Sequence, residues 1–69
     1  MKWRVYLNGD WLASCATGLA AAVLAGTFGL GVTVKYGRTL VLSGNETDIA
    51  NNSYDSAALL MEQRAGLSK

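Results

Sequence analysis

Trp3, Val5 and Leu7 alternate with Lys2, Arg4 and Tyr6, the period-two pattern of a half-buried strand, and the Asn8-Gly9 pair that follows is a turn signal. The alternation then gives way to a run from Trp11 to Val34 that carries no charge. A bilayer core about 30 Å thick needs roughly 20 mostly apolar helical residues, so the run is long enough to span one. Its composition sets it apart from an ordinary lipid-facing helix, because Ala and Gly outnumber Leu and Ile. The preferred reading is mainly α, with a single transmembrane helix over residues 11–36 and a short amphipathic helix near the C-terminus. Residues 1–10 are then an interfacial segment.

On a helical wheel Ser14, Gly18, Ala22 and Gly26 form one row and Thr17, Ala21, Ala25 and Gly29 form the row beside it. Small residues in such rows let helix backbones approach closely, the main source of packing energy between helices in lipid. These eight positions are the expected helix-packing interface. Trp3, Arg4 and Trp11 at one end of the span, with Lys35, Tyr36 and Arg38 at the other, are the expected membrane-interface anchors.

Two β-rich runs, Val32 to Tyr36 and Thr39 to Ser43, flank Gly37-Arg38 and also fit a hairpin. Taken together with the Asn8-Gly9 turn, they support an alternative: a small β-α-β subunit whose Ala/Gly-rich helix is buried in protein. In the membrane reading Gly37 ends the helix, and residues 37–52 form a polar linker with a short β-prone stretch. Residues 53–66 follow as an amphipathic helix with Ser53 or Asp55 as cap and Gly66 just past its end, and residues 67–69 are a tail.

Composition narrows the chemistry. The chain has 69 residues, one cysteine and no histidine, which rules out an internal disulfide and a Cys/His zinc site. Asp10, Glu46, Asp48, Asp55 and Glu62 are scattered over polar segments, so neither catalysis nor a cofactor is expected. A formal net charge of +1, with no basic stripe visible along the chain, gives no reason to expect nucleic acid or a small-molecule substrate. Lys2 and Arg4 balance Lys35 and Arg38 across the span, and the free amino terminus tips the N-terminal side toward the cytoplasm. The expected role is a non-enzymatic, single-pass membrane protein, an accessory or structural subunit packing into a larger membrane complex or a homo-oligomer. The alternatives are a phage holin-like pore former and a small virion or assembly protein buried between subunits.

Overall fold

The computed structural model describes residues 1–67 as an α/β domain. Four strands form one antiparallel sheet in the order β2-β1-β3-β4: β1 (Trp3–Leu7), β2 (Asp10–Cys15), β3 (Val32–Tyr36) and β4 (Thr39–Leu42). Between the two hairpins runs α1 (Gly18–Phe28), and after them a 3₁₀ turn (Gly44–Glu46), α2 (Thr47–Asn52) and α3 (Tyr54–Arg64). The expected tail at 67–69 lies outside the described residues beyond Leu67.

The preferred reading is thus corrected in its main point. Residues 11–36 are no continuous helix but a strand, an 11-residue helix and a second strand. Eleven residues at about 1.5 Å each reach only about half of a bilayer core. No helix among the described residues is long and apolar enough to cross a membrane, so the single-pass localisation and the membrane accessory-subunit role lose their support. The pore-forming alternative rests on the same span and falls with it. The arrangement agrees instead with the β-α-β alternative and its buried Ala/Gly-rich helix.

Local chemistry explains where the uncharged run breaks. Asn8 and Gly9 have φ of 52° and 88°, the left-handed pair that a two-residue hairpin loop requires, and they fold β2 back on β1. Thr17 stops the strand and caps α1, its hydroxyl accepting from the Ala20 N–H at 3.1 Å. At the far end Gly29 takes φ 75° and its N–H bonds to the Ala25 carbonyl, closing the helix before Val32 to Tyr36 enter the sheet.

The core lies between the sheet and the helices. Trp3, Val5, Cys15, Val32, Val34, Val41 and Leu42 from the sheet meet Ala21, Ala22 and Ala25 of α1, Ala50 of α2, and Ala57, Ala58 and Met61 of α3. Helical positions in this core are mostly alanine, so the helices lie close to the sheet and to one another. A Cβ on Gly18 would sit 3.1 Å from the Trp3 ring, and one on Gly26 would sit 2.6 Å from the Tyr54 ring. Gly18 also faces Glu62, so α1 and α3 run antiparallel. Arg64 fastens the end of α3 to the sheet side, donating to the Val41 carbonyl at 3.2 Å and pairing with both carboxylate oxygens of Glu46 at 2.7 and 2.8 Å.

Each hairpin holds one bulge, where the register shifts between Val5 and Tyr6 and again between Val34 and Lys35. A bulge lets two successive residues lean to one side of the sheet. In consequence Val41 and Leu42 are both buried, and Leu12 packs against the core beside Ala13.

Candidate functional site: the open face of the sheet

All the helices cover one side of the sheet, the side to which Val5 and Val34 point. The other side is open, and the strand register determines what it displays. Across β2, β1, β3 and β4 runs a row of Ser14, Arg4, Lys35 and Leu40, each directly opposite the next. Two residues further along β1 runs a second row, Trp11, Tyr6 and Thr33. Arg4, Trp11, Ser14, Lys35 and Leu40 are exposed, and Tyr6 and Thr33 are half-buried. Trp11 shows 63% of its surface to solvent, whereas the other tryptophan, Trp3, shows 4%. An indole left this open is not serving the core.

Electrostatics sharpens the picture. Arg4 and Lys35 are like charges in direct cross-strand register, an arrangement that is destabilising without a counter-charge. The ammonium of Lys35 lies 5.6 Å from the Tyr6 ring centroid, close enough for a cation–π contact. Asp10 is the one carboxylate on the strands. It pairs with Leu7, whose side chain packs toward the core, so it belongs to the opposite face. The Lys2 ammonium stands 5.5 Å from the Tyr36 ring, and the Gly37 N–H bonds to the Lys2 carbonyl, which brings Lys2 beside the turn that holds Arg38. Four cations therefore gather toward one end of the sheet, while Asp48, Asp55 and Glu62 lie on α2 and α3.

The residues singled out from the sequence divide between two places. Gly18, Ala21, Ala22 and Ala25 are buried within the chain's own core, and Gly26 packs against Tyr54 and Ala50. Ser14 lies on the open face, Thr17 caps α1 and Gly29 ends it. Of the expected anchors, Trp3 is core and packs tilted, at 58°, against Tyr36 with 4.8 Å between centroids. Arg4, Trp11 and Lys35 come together on the open face with Tyr6, and Arg38 lies in the turn between β3 and β4. Thr33 and Leu40 carry no expected site role, whereas Tyr6 belongs with Trp3 and Trp11 at the N-terminal end read as interfacial, and the outward phase of the β1 alternation puts it on the side of Arg4.

Elsewhere the surface offers less. A cleft of about 450 Å³ is bordered by Gly26, Gly29, Asn45, Thr47, Asp48 and Asn51, with one carboxylate and no second acid or base facing it. No group of three or more metal-ligating side chains comes together among the described residues. Burial pushes the Cys15 thiol above its usual pKa, which keeps it un-ionised and a poor nucleophile. No known protein family, curated protein or solved structure matches the chain.

Proposed function

We propose that the chain is a non-enzymatic binding module whose working surface is the open face of the sheet. The observation that carries this reading is the pairing of an exposed Trp11 with Tyr6, beside two cations that face each other without a counter-charge. Folding alone does not call for this arrangement. Exposed aromatics flanked by arginine and lysine give large contact area together with charge, the composition of recognition surfaces. The dispersed carboxylates, the missing histidine and the buried thiol support a role without catalysis.

Thermal melts of two variants test the reading. Trp11→Ser should cost no more than a cross-strand pair, about 1 kcal/mol or less, because the indole serves binding and not the core. Leu42→Ala, fully buried, should cost about 2–5 kcal/mol. A Trp11→Ser loss as large as that of Leu42→Ala would make Trp11 structural and remove the reading.

A second reading, head-to-tail association of copies, is favoured by the separation of cations on the sheet from carboxylates on α2 and α3. Sedimentation velocity at low and high salt tests it. Salt-sensitive oligomers support it, and a monomer at every concentration removes it.

A further inference from the structure

We infer that the open sheet face binds single-stranded nucleic acid, with bases stacking on the Trp11–Tyr6 row and phosphates lying along the Arg4–Lys35 row. The inference rests on the reading of this face as the working surface.

The geometry is that of a strand-like ligand. Arg4 and Tyr6 are two residues apart on β1, hence about 6.8 Å along the strand, so a line of charge runs beside a line of rings about one nucleotide's width away. Each line crosses two strands and they meet on β1: the rings lie on β2 and β1, with Thr33 of β3 next in their row, and the cations lie on β1 and β3. Every base has a π-face, so a pair of rings takes successive bases with little regard to sequence. A duplex hides those faces within its stack, which makes single strands the ligand that fits.

Charge selects among the possible occupants. Two copies meeting face to face about an axis through the basic row would bring Arg4 and Lys35 of each against the same cations of the other. A neutral apolar partner would leave both cations uncompensated. A polyanion removes the repulsion between Arg4 and Lys35, and Lys2, whose ammonium lies by Tyr36 on the covered side, adds only long-range positive potential at that end of the sheet. The exposed Trp11 supplies the open ring, and a base stacking on the half-buried Tyr6 takes the place of the Lys35 ammonium that lies over that ring, which frees the ammonium for a phosphate.

The test uses the full chain with fluorescein-labelled oligothymidylate and oligouridylate of about 15 nucleotides, at about 50 mM salt. Fluorescence anisotropy should report binding to one or both, and a duplex of the same length should bind at least tenfold more weakly. Trp11→Ala should weaken binding about tenfold or more, and Trp11→Phe, which keeps a ring, should restore most of it. Replacing Arg4 and Lys35 together by Gln should lower the slope of log K against log salt by about 1.4, at about 0.7 per phosphate contact. The oligothymidylate and oligouridylate arms show whether DNA, RNA or both are taken. No binding of either oligonucleotide by the folded chain overturns the inference, as does duplex binding as tight as single-strand binding. Affinity that survives Trp11→Ala also overturns it, because charge alone would then hold the ligand. If binding fails while Trp11→Ser still melts near the parent chain, the ligand is wrong and the working surface stands; if Trp11→Ser melts like Leu42→Ala, the surface itself is wrong.

Discussion

Arg4 on β1 stands directly across from Lys35 on β3, with no carboxylate on that face of the sheet among the described residues. Like charges in this position cost stability, so exchanging one for its opposite should relieve the fold. Lys35→Glu is expected to stabilise the chain by about 0.2–1 kcal/mol, with the gain shrinking as salt rises. The same change should abolish oligonucleotide binding. Melting curves at low and high salt, read beside anisotropy, check both halves. A variant that is less stable at low salt would show that the cations do not strain the sheet.

The Glu46–Arg64 pair gives the fold an acid-side dependence. Hydrogen bonds from the Arg64 guanidinium, and then from the Ser43 N–H, hold the Glu46 carboxyl at about 2, below its ordinary 4.5. A carboxylate with a depressed folded pKa contributes fully above its unfolded value and loses that contribution as pH falls through the folded one. The contribution therefore declines between about pH 4.5 and about pH 2. Both side chains are about a third exposed, so solvent screening limits the pair to about 1 kcal/mol. Glu46→Gln should melt a few degrees below the parent chain at pH 7 and alongside it near pH 2. Equal melting at both pH values would mean that the pair adds nothing.

Close packing of α1 against α2 and α3 should leave no room at Gly26. A Cβ there would lie 3.1 Å from the Ala50 carbonyl oxygen as well as against Tyr54, and a backbone oxygen cannot swing away. Gly26→Leu should cost about 1–3 kcal/mol through overpacking, despite the better helix propensity of leucine. Leu19→Gln, on the exposed side of the same helix, should change stability by less than about 0.5 kcal/mol. Chemical denaturation of the two variants measures the contrast.

The first hairpin depends on its loop. Gly9 sits at φ 88°, where a side chain is strained, and the Asn8 N–H bonds to the Gly31 carbonyl at 2.9 Å, tying the loop to the start of β3. Gly9→Ala should cost about 1–2 kcal/mol. Because a Cβ at Gly9 meets nothing within 4 Å, the loss would report backbone conformation and not crowding.

Much of the secondary structure is legible in the chain, yet the strongest signal in it points the wrong way. The alternation of Trp3, Val5 and Leu7, the Asn8-Gly9 turn and the two β-rich runs around Gly37 all correspond to observed strands and loops. Lack of charge from Trp11 to Val34 outweighed them, because a strand, a helix and a strand packed in one core are as uncharged as a membrane span. The bulges hide the period further: with Val41 and Leu42 both inward, β4 does not alternate. The site was legible only in pieces. Arg4, Trp11 and Lys35 draw notice as aromatic and basic residues at the ends of an apolar run, the composition of a membrane boundary. Their meeting on one face depends on cross-strand register between distant segments, which a linear reading does not contain.

The most direct test follows the two indole N–H signals in a proton–nitrogen NMR spectrum as oligothymidylate or oligouridylate is added to the labelled chain. Trp11 lies on the open face and Trp3 is buried on the other. The account predicts that the Trp11 signal shifts or broadens together with the amides of Tyr6, Thr33 and Lys35, while Trp3 and the α3 amides hold their positions. An unmoved Trp11 signal, or shifts confined to α2 and α3, would contradict it.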